Sequence, residues 1–130
     1  MTKLMIVDDD PSARRLMRDS LGLSGDEYEI FEADRGRFAL QLISVVRPDI
    51  VLLDISMPEI GGIPVCTEIK RNPATSGTQI VIVSAHSDRD FIAASLSAGA
   101  DDFVAKPFQP ADLARRVRLV IESNALGVKA

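Results

Sequence analysis

The sequence predicts a single α/β domain built on a doubly wound, five-stranded parallel sheet. Two observations support this prediction. Short apolar runs alternate along the chain with segments whose apolar residues recur every three to four positions. No long polar linker or low-complexity tract separates these elements, and 130 residues is a common length for one domain.

Five segments are predicted to be strands. Residues 4–7, 50–53 and 80–83 are continuously apolar and rich in Ile and Val, as expected of parallel strands buried on both faces. Residues 29–33 alternate polar and apolar side chains, which indicates an edge strand with one partly exposed face. Residues 102–105 complete the set.

Five helices are predicted to follow these strands. The first begins with Asp10 as N-cap and Pro11 at the first helical position, and the fourth ends at Gly99. The apolar residues expected to face the core are, from the first helix to the fifth, Ala13, Leu16, Met17 and Leu21; Phe38, Leu42 and Val45; Val65 and Ile69 within 64–71; Ile92 and Leu96 within 88–98; and Leu113, Val117, Val120 and Ile121.

Right-handed crossovers and short connections favour the strand order 2-1-3-4-5. In this order the first and third strands lie side by side where the direction of winding reverses. Ligands of open α/β sheets bind at that point, outside the carboxyl ends of the strands.

Charge and hydropathy exclude several classes of function. The net charge of −4 argues against a surface that follows nucleic-acid phosphates. No apolar stretch is long enough to cross a bilayer, and no basic segment followed by an apolar one begins the chain. We therefore expect a soluble, cytoplasmic domain that binds neither membrane nor nucleic acid directly. The single cysteine, Cys66, excludes an internal disulfide and is expected to be a small core residue.

Residues that can accept or bind a phosphoryl group follow four of the predicted strands. Asp8 and Asp9 follow the first strand, Asp54 the third, Ser84 the fourth and Lys106 the fifth. Because the carboxyl ends of parallel strands share one edge of the sheet, these side chains are expected to converge on one pocket. The alternative is that the strand-end Asp residues only cap helices or accept hydrogen bonds from loop amides.

Three carboxylates in one crevice repel one another. Two like charges ~4 Å apart cost about 4 kcal/mol at an effective dielectric constant of about 20, so the cluster should bind a cation or stay partly protonated. Hard oxygen ligands open to solvent suit Mg²⁺. With its charge shielded, Asp54 can act as a nucleophile toward phosphorus, while Lys106 and Ser84 offer an ammonium and a hydroxyl group to phosphoryl oxygens.

Four segments resemble the receiver domain of two-component response regulators, which has a flavodoxin-like fold, and the likeness covers essentially the whole chain. The matching segments are Leu4-Met5-Ile6-Val7-Asp8-Asp9-Asp10-Pro11, Asp49-Ile50-Val51-Leu52-Leu53-Asp54-Ile55-Ser56-Met57-Pro58, Ile80-Val81-Ile82-Val83-Ser84-Ala85 and Ala98-Gly99-Ala100-Asp101-Asp102-Phe103-Val104-Ala105-Lys106-Pro107-Phe108. Each segment alone would be a weak signal, but together they are highly specific.

The resemblance implies a role for each site residue. The implied roles are Asp54 as phosphoacceptor; Asp8, Asp9, Asp54 and the Ser56 backbone carbonyl as the site for Mg²⁺ or Mn²⁺; Lys106 and Ser84 as catalytic residues; Ser84 and Phe103 as the switch; and a cis bond before Pro107. Such a protein catalyses phosphorylation and dephosphorylation of its own Asp without being a conventional enzyme.

The resemblance also implies partners. The phosphoryl donor would be a histidine kinase or a histidine phosphotransfer protein, with specificity largely on the first helix around Arg14, Arg15 and Arg18. The face made by the fourth helix, fifth strand and fifth helix would control an output domain or protein, or form a homodimer. The receiver domain is expected to span residues 1–123, with 124–130 as a short tail or the start of a linker. The chain is expected to be either a stand-alone receiver or part of a longer regulator.

Two other functions fit parts of the pattern. A haloacid-dehalogenase-like phosphatase also uses Asp, Mg²⁺, Ser or Thr, and Lys, and Asp8-Asp9-Asp10 supplies an Asp-x-Asp, although the following Pro11-Ser12 departs from that pattern. A receiver-like module that binds a partner without phosphorylation is the second. His86, two residues after Ser84, is expected to be an exposed loop residue; a role in tuning acyl-phosphate hydrolysis is the minor hypothesis.

Overall fold

The computed structural model describes residues 1–125, which form five strands and five helices in strict alternation. The strands are β1 Thr2–Val7, β2 Tyr28–Ala33, β3 Ile50–Leu53, β4 Gln79–Ser84 and β5 Asp102–Ala105, and the helices are α1 Pro11–Gly22, α2 Gly36–Val46, α3 Gly62–Arg71, α4 Arg89–Ser97 and α5 Pro110–Ala125. The last residues of the predicted tail, 126–130, lie outside the described residues. None of the helices within residues 1–125 has the length and hydropathy needed to cross a membrane.

All strand pairs are parallel, and the sheet order is β2-β1-β3-β4-β5, as predicted. The register fixes where the functional edge lies. Val7 at the end of β1 is opposite Leu53 at the end of β3, so the residues that follow these two strands emerge side by side. Ser84 at the end of β4 is opposite Ala105 of β5, which brings Lys106 to the same edge.

The sheet separates two hydrophobic clusters because successive side chains on each strand point to opposite faces. One cluster joins alternate strand residues to α2 and α3, with Phe91 of α4 packed against it. The other joins the remaining strand residues to α1 and α5. Cys66 is fully buried in the first cluster, as predicted. The three central strands are therefore covered on both faces, which explains their continuous apolar sequence.

The predicted apolar stripe of α2 was wrong. Phe38 and Val45 are 44% and 80% exposed, whereas Ala39 and Ile43 are almost completely buried. Leu42 is partly buried and packs on the core. Two overlapping stripes have helical spacing in this segment, and the stripe that begins with a small residue lets the helix lie closer to the sheet.

Two further inward positions were wrong. Leu16 of α1 is 46% exposed and Leu96 of α4 is 48% exposed. In α4 the buried residue is Ser95, whose hydroxyl donates to the Phe91 carbonyl at 2.8 Å and so needs no partner from outside the helix. The predicted stripes of α3 and α5 are confirmed, with Ile121 at the partly buried margin of α5.

The helix ends follow the sequence signals. Asp10 caps α1 by accepting a hydrogen bond from the Ser12 amide at 2.9 Å, and Pro11 occupies the first turn. Gly99, with φ +108°, follows α4 in a conformation that L-residues rarely adopt. These ends set the short loops that surround the carboxyl edge of the sheet.

Candidate functional site: an acidic pocket at the carboxyl edge of the sheet

Three carboxylates from two adjacent strand ends meet at the carboxyl edge of the sheet. Asp8, Asp9 and Asp54 each offer an oxygen, and these three oxygens lie within 4.8 Å of one another. Asp8 and Asp54 are 1% and 7% exposed, whereas Asp9 is exposed. The pairing of β1 with β3 produces this cluster, because Asp8 and Asp54 directly follow the opposed residues Val7 and Leu53.

Asp8 is anchored within the protein. Its Oδ1 accepts from the Asp10 amide at 2.9 Å, and its Oδ2 accepts from Lys106 Nζ at 2.7 Å. The Asp8 amide also donates to the Ala33 carbonyl of β2 at 3.2 Å. Lys106 therefore compensates the charge of Asp8 in this structure.

Asp54 carries the less compensated charge. Burial raises its pKa above the usual 3.8, and the neighbouring Asp8 carboxylate raises the pKa further. Lys106 and the backbone amides of Ser56 and Ile55 lower the pKa, but they do not cancel the increase. The site thus holds a buried carboxylate whose ionised form a nearby positive charge would stabilise.

Ser84 and Lys106 are brought together by the last pair of strands. The Lys106 amide donates to the Ser84 carbonyl at 2.9 Å. Ser84 is 1% exposed, and its hydroxyl accepts from the His86 amide at 3.1 Å. The peptide bond between Lys106 and Pro107 is cis. Phe103 of β5 is half-buried and packs against the hydrophobic cluster that joins the sheet to α2 and α3.

The loops on either side of the pocket touch each other. Ser56 is exposed, and its hydroxyl is 3.0 Å from Nδ1 of His86. His86 is itself exposed, and its ring stacks on Phe91 with centroids 4.7 Å apart. The β3–α3 loop and the β4–α4 loop are therefore linked across the mouth of the site.

Sequence reasoning missed the contact of Arg14 with this site and the ion pair that joins Arg14 to Glu32. Arg14 Nη1 donates to the Asp8 carbonyl at 2.7 Å, and Arg14 Nε donates to Glu32 at 3.0 Å. Burial raises the pKa of Glu32, but the ion pairs to Arg18 and Arg14 hold it below its usual value. The available signal was Glu32 itself, because it lies on the same face of β2 as Ile30, which packs against the cluster of α1 and α5, and a carboxylate beside a packed helix favours a cationic partner.

The donor set is of the kind that Mg²⁺ binds. Carboxylate oxygens are hard ligands, and Mg²⁺ typically takes one or two of them while it keeps several waters. Both oxygens of Asp8 already accept hydrogen bonds from protein groups, which leaves Asp9 and Asp54 as the carboxylates best able to bind a cation directly. The acidic cluster therefore fits a divalent cation with Asp8 as the most constrained member.

Comparison with known proteins identifies the family. The family sequence model of the response regulator receiver domain matches residues 4–118 of this chain. The chain belongs to this family. Receiver domains act in two-component phosphorelay signalling, and membership of this family leaves the haloacid-dehalogenase-like alternative without support.

Relatives of this receiver domain include a DNA-binding response regulator and two receivers of known structure. It is 37% identical over 122 residues to the DNA-binding response regulator MtrA of Mycolicibacterium smegmatis, covering 94% of this chain and 51% of that protein. It matches the chemotaxis response regulator CheY4 of Vibrio cholerae with a TM-score of 0.83 and 27% identity, over 92% of this chain and 98% of that one. The BeF3-activated DrrB receiver domain gives a TM-score of 0.82 at 28% identity, over 94% and 98% of the two chains. The chain spans about half the length of the curated relatives it matches.

Proposed function

We propose that the chain is a phosphorylation-dependent switch that accepts a phosphoryl group on Asp54 from a histidine kinase or a histidine phosphotransfer protein. One observation carries the proposal. Asp54 is a buried carboxylate within 4.8 Å of Asp8 and Asp9, at the same sheet edge as Lys106. A buried nucleophile, an acidic pair and a fixed ammonium group are the parts that phosphoryl transfer to a carboxylate requires.

Asp54 supplies the nucleophile. One of its oxygens forms a bond to phosphorus while the phosphorus–nitrogen bond of the donor's phosphohistidine breaks. The ring leaves as neutral imidazole, because its other nitrogen carries a proton taken up from solvent. Asp8, Asp9, Asp54 and the Ser56 backbone carbonyl would hold Mg²⁺ or Mn²⁺, which when bound neutralises charge on the phosphoryl oxygens. The chain thereby catalyses modification of its own residue, and its hydrolysis, rather than turnover of a separate substrate.

Lys106 and Ser84 contact the phosphoryl oxygens in this proposal. A phosphoryl group on Asp54 attracts the Lys106 ammonium away from Asp8, since it adds negative charge beside it. The Ser84 hydroxyl loses the hydrogen bond that it accepts from the His86 amide and moves toward the phosphoryl oxygens. The space that Ser84 leaves is then open to Phe103, whose half-buried ring rotates inward.

A pocket beside Lys106 suits the phosphoryl donor. Its volume is about 480 Å³, and most of its lining is apolar, including Leu16, Pro107 and Phe108. The exposure of Leu16, which sequence periodicity placed in the core, is explained if this side chain contacts a partner. We therefore place the donor's histidine-bearing helix against α1 and the β5–α5 loop.

The output face is proposed to be α4–β5–α5. Phe103 lies in β5, so its rotation alters the surface between the two helices. Leu96 and Leu119 are 48% and 50% exposed on these helices and provide apolar contact area for an output domain, a downstream protein or a second copy. The receiver unit is proposed to span residues 1–123, with 124–130 as tail or linker, and to act in the cytoplasm without direct contact to nucleic acid or membrane.

Incubation with acetyl phosphate and Mg²⁺ tests the proposal. Intact-protein mass spectrometry should show one added phosphoryl group, and borohydride reduction followed by peptide mapping should locate it at Asp54. Asp54→Asn should abolish the adduct. Asp34→Asn is the matched control, because Asp34 is an exposed carboxylate directly after β2, and this variant should be labelled like the wild type.

The same experiment separates the alternatives. No adduct in the wild type, with and without Mg²⁺, would favour a module that binds its partner without phosphorylation. An adduct that persists in Asp54→Asn would move the phosphoacceptor to another residue. Steady release of phosphate from phosphoesters, without a stable adduct, would indicate a phosphatase.

A further inference from the structure

The peptide group that joins Asp8 to Asp9 is held by a side chain from α1. The carbonyl of this peptide belongs to Asp8 and accepts from Arg14 Nη1 at 2.7 Å. The orientation of the peptide determines the direction in which the Asp9 side chain leaves the backbone. A contact to this one carbonyl therefore influences both acidic residues.

Arg14 is itself braced by the edge strand. Its Nε donates to Glu32 at 3.0 Å, and only 18% of its side chain is exposed. Glu32 lies opposite Ile6 in the pairing of β1 with β2, two residues before the point where Asp8 begins the turn. The planar guanidinium group can bond to a carboxylate and a carbonyl at once, which a lysine ammonium cannot reproduce with the same rigidity.

Arg18 provides an internal comparison. It comes from the same helix and pairs with the same carboxylate, with Nε and Nη2 at 3.0 and 2.6 Å from Glu32 Oε2. The contacts of Arg18 are to Glu32, whereas Arg14 also reaches Asp8. The two arginines therefore separate the effect of the ion pair from the effect of the contact to the acidic turn.

We propose that Arg14, braced by Glu32, is a positioning residue that sets the divalent-cation affinity of the site by fixing the peptide between Asp8 and Asp9. The inference rests on the proposed function, because it assumes that the acidic pair holds a cation. It assigns Arg14 a role inside the protein in addition to any contact with a partner.

The sign of the effect distinguishes positioning from electrostatics. Arg14 is a cation near a cation site, so removal of its charge alone would tighten metal binding. If Arg14 acts by positioning, its removal weakens binding, because residues that orient metal ligands typically contribute 10–100-fold to affinity. The two mechanisms therefore predict opposite changes in the dissociation constant.

Titration with Mn²⁺, followed by electron paramagnetic resonance of the free ion, measures this constant without phosphorylation. We expect Arg14→Met to bind Mn²⁺ about tenfold more weakly than the wild type. Arg14→Lys should restore part of the affinity, since it keeps a donor near the Asp8 carbonyl. Arg18→Met is the matched control and should stay within about twofold of the wild type, because Arg18 acts on Glu32 alone.

Circular dichroism shows whether each variant is folded at the titration temperature. If Arg14→Met does not fold, Glu32→Gln decides, since it leaves Arg14 in place and weakens its brace; it also weakens the Arg18 ion pair, which Arg18→Met tests separately. This variant should reduce the affinity by about threefold. Unchanged or tighter binding in folded Arg14→Met, or equal weakening in Arg18→Met, would overturn the inference while the proposed function stands. If the wild type shows no saturable Mn²⁺ binding, the metal site of the proposed function fails as well.

Discussion

Replacement of Asp54 by Asn should stabilise the folded protein when no divalent cation is present. The Asp54 carboxylate lies within 4.8 Å of those of Asp8 and Asp9, and its pKa is raised first by burial and then by the charge of Asp8. Asn keeps a carbonyl oxygen that can accept a backbone hydrogen bond and removes the charge. The variant thus tests whether the acidic site is strained electrostatically.

The structure gives the size of the effect. The oxygens of the cluster lie within 4.8 Å of one another, and at that distance and an effective dielectric constant of about 20 the repulsion between two carboxylates is about 3.5 kcal/mol. Lys106 also attracts Asp54 and lowers its pKa without cancelling the increase, so only part of this repulsion is relieved when the charge is removed. The expected gain in free energy of unfolding is therefore about 1–2 kcal/mol. For a chain of this size the gain corresponds to a rise in Tm of about 4–8 °C.

The stability difference between the wild type and Asp54→Asn should depend on pH in a defined direction. Because the folded pKa of Asp54 is above 3.8, protonation of Asp54 stabilises the folded state. Below pH 3.8 the wild type and Asp54→Asn should have the same free energy of unfolding. As the pH rises through the raised pKa of Asp54, the free energy of unfolding of the wild type should fall below that of the variant. Added Mg²⁺ should stabilise the wild type at neutral pH and so reduce the difference in free energy of unfolding between the two proteins.

Thermal unfolding in EDTA, followed by far-ultraviolet circular dichroism, is the assay. Asp19→Asn is the control, because it makes the same change in net charge at an exposed position of α1 and should shift the free energy of unfolding by less than about 0.5 kcal/mol. A Tm for Asp54→Asn equal to or below that of the wild type at neutral pH, with Asp19→Asn unchanged, would refute the electrostatic reasoning.

Three further predictions concern the frame around the site. Gly62→Ala should destabilise the protein by about 2 kcal/mol or more in urea unfolding, because a Cβ there overlaps the Asp54 carbonyl; Gly22→Ala, with nothing within 4 Å, should be neutral or stabilising. Cys66 should resist iodoacetamide at pH 8 and react once urea unfolds the chain, since burial raises its pKa to about 11. Asp88→Ala should lower the free energy of unfolding by about 1 kcal/mol through loss of the α4 N-cap, measured by thermal unfolding.

Most of the sheet could be predicted because each central strand is apolar on both faces and ends at a polar residue. That pattern fixes strand positions closely, and the strand order then brings Asp8 and Asp54 together without knowledge of any side-chain contact. The Asp10 cap was predictable for a similar reason, since it depends only on Pro11 and on the first turn of the helix. Such features depend on neighbours in sequence or on strand order alone.

The errors arose where two solutions have the same periodicity. In α2, a stripe through Phe38 and Val45 and a stripe through Ala39 and Ile43 both recur at helical spacing, and only the depth at which the helix packs chooses between them. The resemblance implied a partner-binding role for Arg14, and nothing in the sequence indicated that Arg14 also contacts the Asp8 carbonyl. Its actual orientation depends on Glu32, a residue of another element that becomes its neighbour only after the sheet has formed.

The pairing of Lys106 with Asp8 determines which carboxylate of the site keeps an uncompensated negative charge. Because Lys106 and the Asp10 amide already satisfy Asp8, the unfavourable part of the acidic cluster is concentrated on Asp54. A charge that reduces stability in the folded state is relieved by any positive group that binds beside it, so cation binding and folding are coupled at this one residue. The residue proposed to accept the phosphoryl group is therefore also the residue at which the protein gains most from binding a cation.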